Sequence, residues 1–226
     1  MGKPLKEDVM LFYSERASEW PELMAREKIR RVRNEEVKFI QTHLNLILKG
    51  SKILDIGIGA GVHERVLYNR AGDLLNGLSW TGIDIVPAML NEGKRAGLQI
   101  DFRLVDVNHL TSEFEQSSFD AMISQHVFSL IPDEELQGVL NNIGFALKPN
   151  GLLIGCVYTP PNDNSYPVFP NRYPQYKDKT LRDAEMGLNQ WRPFSFYGDK
   201  LKQAGFEITA KLPLTYDAVQ FCSVKI

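Results

Sequence analysis

The sequence predicts an α/β fold: a doubly wound, seven-stranded, mostly parallel sheet with an antiparallel final strand, helices on both faces and an N-terminal helical cover. Three observations carry this. Strand-like and helix-like stretches alternate from Ser51 to about Tyr158. A short apolar run, Ile53-Leu54-Asp55-Ile56, passes through Gly57, Gly59 and Gly61 into Val62-His63-Glu64-Arg65-Val66-Leu67, which can start a helix. Acids follow two further strand-like runs, Asp84 after Trp80-Thr81-Gly82-Ile83 and Asp106 after Phe102-Arg103-Leu104-Val105.

Taken in chain order, residues 5–48 read as helical, with an amphipathic stripe at Ile29, Val32, Val37, Ile40, Leu44 and Ile47. Pro21 opens a new helix within that stretch. Strands are expected at 52–56, 79–84, 101–105, 119–124 and 151–158. Helices follow the glycine loop, Pro87 and Pro132-Asp133, the last running to Ala146. Lys148-Pro149-Asn150-Gly151 reads as a turn. Residues 159–195 break the alternation with a connection rich in proline, asparagine and tyrosine. Its aromatics (Tyr166, Phe169, Tyr173, Tyr176, Trp191, Phe194) are too many for plain disorder, so it reads as a folded cap. Gly198–Gly205 is expected as a helix with a glycine stop, and 206–213 and 218–225 as two strands paired in a hairpin. The whole is one domain, 1–226: cover 1–48, core 51–158, cap 159–195, and final helix with hairpin 196–226.

Composition excludes several classes. The 226 residues are 43% hydrophobic and 24% charged with a formal net charge of −2, which fits a single domain with a two-faced sheet core. That near-neutral balance argues against a dedicated nucleic-acid binder. The densest basic run, Lys28-Ile29-Arg30-Arg31-Val32-Arg33, is hemmed by Glu27, Glu35 and Glu36 and reads as a solvated helix face. Without a long apolar span or a signal peptide, a cytoplasmic chain with no membrane partner is expected. Cys156 and Cys222 sit in apolar strand-like runs and read as buried thiols. Four scattered histidines have no metal-ligand spacing, so no metal is expected.

A strand turning on glycines into a helix presents backbone N–H groups, rather than side chains, to a ligand. The dinucleotide fingerprint is absent, because Val62 or Glu64 stands where its third glycine belongs. No Gly-Lys-Ser/Thr follows, so this is not a P-loop. Asp84, at the carboxyl end of the second strand, is placed to accept both hydroxyls of a ribose. Together with Asp106, the set implies adenosine without a pyrophosphate.

These residues resemble the class I, Rossmann-like S-adenosylmethionine-dependent methyltransferases of small-molecule type. The resemblance runs from Ile53 to Tyr158: Asp55-Ile-Gly57-Ile-Gly59-Ala-Gly61, Gly82-Ile-Asp84-Ile-Val-Pro-Ala-Met89-Leu90 and Asp106-Val107-Asn108-His109-Leu110. It continues through Phe119-Asp120-Ala-Met-Ile-Ser124-Gln125-His126-Val127-Phe128 with Pro132-Asp133, then Leu147-Lys148-Pro149-Asn150-Gly151. Outside that span the match is weak. The resemblance implies S-adenosyl-L-methionine as cofactor. Gly57, Gly59 and Gly61 would face its methionine part, Asp84 the ribose and Asp106 the adenine amino group. Ile85 and Val107 would flank the ring, with Gln125 near the methionine end. Asp55, Met89 and Tyr13 complete the expected cofactor-binding set. Trp20, Tyr158, Tyr166, Tyr173 and Trp191 are expected on the acceptor side, although packing alone could explain Tyr13 and Trp20.

In that chemistry the sulfonium carbon is already activated, so the protein chiefly aligns a nucleophile and excludes water. A base is required only when the acceptor must lose a proton. His126, just after the fourth strand, is the candidate catalytic base; the alternative is a histidine that packs or only shapes the acceptor pocket. His63 reads as structural or near the cofactor carboxylate. Thr159-Pro160-Pro161-Asn162 is similar to a motif of nucleic-acid amino-methyltransferases, but that motif belongs where this chain has Ser124-Gln125-His126-Val127. Asp163-Asn164 is similar to the acid–amide pair of magnesium-dependent catechol methyltransferases, whose aspartate after the fourth strand has no counterpart here. The expectation is therefore methyl transfer to an oxygen or nitrogen of a small-molecule acceptor by a monomer or homodimer. The rivals are an RNA or protein methyltransferase docking through Lys28–Arg33, and a catalytically silent cofactor-binding subunit.

Overall fold

The computed structural model describes residues 6–75, 77–159, 188–214 and 218–226. Seven strands form one sheet: β1 (Lys52–Ile56), β2 (Ser79–Asp84), β3 (Asp101–Leu104), β4 (Phe119–Gln125), β5 (Leu147–Tyr158), β6 (Phe206–Pro213) and β7 (Ala218–Lys225). Their order is β3-β2-β1-β4-β5-β7-β6. The first five run parallel, while β7 lies antiparallel to both β5 and β6, as the alternation and the hairpin predicted. The chain leaves β1 toward β2 on one side and returns to β4 on the other. That reversal opens a crevice beyond the carboxyl ends of β1 and β4, where ligands bind in such sheets.

The helices are α1 (Lys6–Arg16), α2 (Trp20–Ala25), α3 (Glu27–Leu44), α4 (Val62–Leu75), α5 (Pro87–Arg95), α6 (Leu110–Glu113), α7 (Asp133–Ala146) and α8 (Phe194–Gln203). Alternate strand residues point to opposite faces, and the two faces build separate cores. On one, Leu54, Ile56, Met122 and Leu153 meet Leu136, Val139 and Leu140 of α7 and Tyr197 and Leu201 of α8. On the other, Ile53, Ala121, Ile123 and Ile154 meet Val37, Ile40 and Leu44 of α3 and Leu67 of α4. Val37, Ile40 and Leu44 of the predicted stripe thus dock α3 onto the sheet. Ala17, Leu23 and Met24 from the cover pack on Ala60, Val62, Val86 and Met89, above the turn that leaves β1.

Several boundaries differ from the sequence reading. The cover is three helices, one more than the break at Pro21 alone implies, with Pro21 in the first turn of α2 as expected. The expected turn at Lys148–Gly151 lies within β5, where pairing with β4 jumps from Phe119↔Leu147 to Ala121↔Leu152. Asn150 takes φ +62 there, so the strand absorbs the extra residues as a bulge. The final helix starts at Phe194 rather than Gly198, because Pro193, with φ −61, is already set to begin it. Both cysteines are buried and neither forms a disulfide. No helix among the described residues is long and apolar enough to cross a membrane. Most of the expected cap, including Tyr166 and Tyr173, lies outside the described residues.

Candidate functional site

β1 delivers the chain into Gly57, Gly59 and Gly61, which take φ +72, +55 and +65, values that L side chains rarely adopt. Space is tight for a side chain as well. A Cβ on Gly57 would stand 2.2 Å from Val127 Cγ2, and one on Gly59 would stand 3.1 Å from Met89 Cε. The Asp84 carboxylate closes the loop: Gly59 N–H donates to its Oδ2 at 2.8 Å and Val86 N–H to its Oδ1 at 2.9 Å. Burial raises this carboxyl above its ordinary value, and the amides of Val86, Gly59 and Ile85 offset part of that rise. Each oxygen retains acceptor capacity for a further donor.

Asp55 lies beneath the loop. Its burial, and next the Glu64 carboxylate of α4, push its carboxyl well above the usual range. Asp106 caps the short 3₁₀ turn Val107–His109 by accepting from Asn108 N–H at 2.9 Å. Its other oxygen accepts from Lys6 Nζ of α1 at 2.5 Å. Burial would raise Asp106, but the Lys6 ammonium and the Asn108 amide outweigh it and hold the carboxyl below its ordinary value. Ile85 joins the cluster under the cover, whereas Val107 belongs to the main core. Met89 is buried between cover and loop, with Tyr13 and Trp20 packed edge to face at 5.2 Å beside it. Gln125, ending β4, accepts from Gln220 Nε2 at 3.3 Å; its own Nε2 is buried and has no hydrogen-bond partner among the described residues. A glycine cradle, a carboxylate across it and an idle amide donor together fit an adenosine-type ligand with a polar tail.

The other side of the crevice centres on His126, whose backbone is left-handed at φ +64, an uncommon state for a non-glycine residue. Its N–H donates to Cys156 O at 2.9 Å. Its Nε2–H donates to Glu36 Oε1 at 2.7 Å, and His63 Nε2–H donates to Glu36 Oε2, also at 2.7 Å. Glu36, on α3, is only 1% exposed, contrary to its expected place on a solvated face. It stands one helical turn before Ile40, on the stripe that docks α3, and Gln220 Nε2 fixes its carbonyl at 3.1 Å. Burial would raise the Glu36 carboxyl, yet His126 and His63 hold it well below the ordinary range. Burial would lower His126, but Cys156 and Glu36 push it up to about 10. For His63, burial and then Arg33 prevail over Glu36 and lower it. Glu36 therefore carries an imidazolium on one oxygen and a neutral imidazole on the other. The Nδ1 of His126 is buried and its Nε2 is engaged by Glu36.

Tyr158 stacks on the His126 ring at 4.5 Å, and Trp191 lies 5.4 Å from Tyr158. Trp191 is positioned by its neighbour Arg192, a buried residue the sequence reading missed. Arg192 donates to Phe128 O at 3.1 Å, to Ile131 O at 2.6 Å and to Asp133 Oδ1, so the returning chain is bound to the loop after β4. One further grouping escaped the spacing argument: a carboxylate oxygen of Glu36, a ring nitrogen of His126 and Cys156 Sγ lie within 4.8 Å of one another.

Comparison with known proteins places this geometry in context. A family described as a methyltransferase domain matches residues 53–151. The demethylmenaquinone methyltransferase of Tropheryma whipplei is 29% identical over 188 residues, covering 76% of this chain and 73% of the relative. The ubiquinone biosynthesis O-methyltransferase of Xylella fastidiosa is 28% identical over 110 residues, 47% of this chain and 41% of that one. The 18S rRNA (guanine(1575)-N(7))-methyltransferase of Saccharomyces cerevisiae is 33% identical over 123 residues, 50% of this chain and 42% of that one. The chain thus spans about two fifths of the length of the ubiquinone and rRNA relatives. Among solved structures, the 1,6-didemethyltoxoflavin-N1-methyltransferase of Burkholderia thailandensis, with bound S-adenosylhomocysteine, superposes with a TM-score of 0.67. It is 13% identical, with 100% of this chain and 93% of that chain covered, a likeness of fold.

Proposed function

Because this chain carries a class I, Rossmann-like S-adenosylmethionine-dependent methyltransferase domain, we propose that it transfers a methyl group from S-adenosyl-L-methionine to an oxygen or nitrogen of a small-molecule acceptor. The observation that carries the reading is the glycine turn closed against Asp84, with Gly59 N–H 2.8 Å from its carboxylate. In this reading Asp84 holds the ribose hydroxyls and the glycine turn lies against the methionine part. Gln125 offers its amide to the polar end, Asp55 lies beneath the turn, and Met89, Ile85 and Tyr13 cover the loop. Asp106 and Val107 border the adenine.

When bound, the cofactor supplies a methyl group already activated on sulfur. The protein's own work is alignment and drying of the crevice. Tyr158, Trp191 and the ring of His126 form a wall suited to a flat acceptor, and Trp20 and Leu130 pack on the Val9, Phe12 and Leu188 cluster. With Nε2 on Glu36 and Nδ1 buried, His126 shapes the pocket, and the methylated product loses its proton to solvent on release. The quinone-pathway relatives support a small-molecule acceptor. The yeast relative supports a second reading, methylation of RNA, and salt-dependent retention on RNA separates the two.

The test is calorimetric titration of S-adenosylhomocysteine and of NAD into the full chain, followed by labelled cofactor with a metabolite extract. Micromolar binding of S-adenosylhomocysteine and a labelled small product are expected. Tighter binding of NAD would overturn the assignment, and label appearing only in RNA would favour the second reading.

A further inference from the structure

We propose that Glu36, His126 and Cys156 form a binding site for a divalent transition-metal ion of the zinc class. The three donors come from α3, the residue after β4, and β5, and they converge within 4.8 Å. Histidine spacing could not reveal this, since Glu36 and His126 are 90 residues apart.

Donor chemistry selects the ion. One thiolate sulfur, one imidazole nitrogen and one carboxylate oxygen suit zinc or cobalt, whereas calcium and magnesium take oxygen almost exclusively. Charge agrees as well: a thiolate and a carboxylate neutralise a dication, so the occupied site carries no net charge where Glu36 and Cys156 are 1% and 0% exposed. In the metal-free protein, Glu36 and His126 share a proton at 2.7 Å. Bonds of about 2.0–2.3 Å in a tetrahedral site set donors roughly 3.4–3.6 Å apart. Opening the 2.7 Å pair and closing the remaining separations of at most 4.8 Å to that range therefore asks for shifts of about 1 Å.

The surroundings are those of a built site. His63 donates to the second oxygen of Glu36, the kind of outer bond that orients a ligating carboxylate. Gln220 fixes the backbone of Glu36, Tyr158 stacks on the imidazole, and the left-handed backbone of His126 turns its ring toward α3. Among the described residues there are three ligands, and a tetrahedral ion takes a fourth. The His126 side chain, 20% exposed, marks the route by which the ion enters.

The proposal is independent of the methyl-transfer reading, and its test is read without turnover. The full chain, freed of metal by a chelator, is titrated with Co²⁺ and then with Zn²⁺. One equivalent of cobalt should produce a thiolate-to-cobalt charge-transfer band in the near ultraviolet together with tetrahedral ligand-field bands, and zinc should abolish both. Cys156→Ala should lose the charge-transfer band and at least tenfold in zinc affinity. Cys222→Ala, which alters the chain's second cysteine, should retain both. If Cys156→Ala does not fold, His126→Gln, titrated in the same way, should lose the ligand-field intensity. Absence of the band from the folded parent, or its survival in folded Cys156→Ala, overturns the proposal. Failure of S-adenosylhomocysteine to bind would leave the cobalt spectrum untouched, so the two readings fail separately.

Discussion

The glycine-loop side of the crevice is made of backbone, whereas the His126 side is made of side chains gathered from distant parts of the chain. On the first side, residues 57–61 and 84–86 interlock through main-chain amides and one carboxylate. On the second, Glu36, His63, His126, Cys156, Tyr158 and Trp191 meet from two helices, two strand ends and the chain returning before α8. A backbone site tolerates no added atoms; a side-chain site tolerates no lost ones.

The largest effect is expected from Glu36→Ala. It would leave two buried histidines without their shared acceptor and remove the tie between α3 and the crevice. Breaking a buried charge pair by deleting one partner costs about 3–5 kcal/mol. Urea unfolding should show that loss, and a loss under about 1 kcal/mol would mean that the network is incidental to stability.

Adding one methyl tests the opposite side. Gly57→Ala forces a left-handed alanine, at about 1–2 kcal/mol. It also drives a Cβ to within 2.2 Å of Val127 Cγ2, and such overpacking costs roughly 1–3 kcal/mol. Pairing it with Val127→Ala should recover the steric part but not the backbone part. Full recovery in the double variant would show that space alone, not φ, requires glycine there.

Asp84→Ala should keep the fold and weaken S-adenosylhomocysteine at least tenfold, about 1.4 kcal/mol, by calorimetry. Equal affinities in the two proteins would remove Asp84 from the binding set.

The smallest effect concerns Lys6, which ties the cover to Asp106 through a half-exposed pair worth about 0.2–1 kcal/mol. Asp106 is held below its ordinary value, so this contribution is present above that value and is lost as pH falls through the depressed one. Lys6→Ala should therefore be slightly less stable at neutral pH and converge with the parent in strong acid. A difference that persists unchanged into acid would assign the effect to packing of α1.

The backbone side was legible in the sequence because its chemistry is local. Glycines at spacing two after an apolar run, and an acid ending the next strand, are specified within about 30 residues by turn sterics and strand period. Glu36 left a fainter signal: a carboxylate one turn before Ile40 on an otherwise apolar stripe, read with its neighbours Glu35 and the basic run as solvated. Arg192 left none, since its partners Phe128, Ile131 and Asp133 are more than 50 residues earlier.

By itself, then, the sequence determined the sheet, its parallel strands and final antiparallel strand, and the glycine turn opposite Asp84. These follow from hydrophobic period and backbone sterics, which act between near neighbours. Only the tertiary structure decided that His126 bonds to Glu36, and that Glu36, His126 and Cys156 converge at one corner of the crevice. Side-chain partners across a sheet are chosen by strand order and by helix docking. Those depend on burying two whole faces at once, a condition that no short stretch of sequence can express.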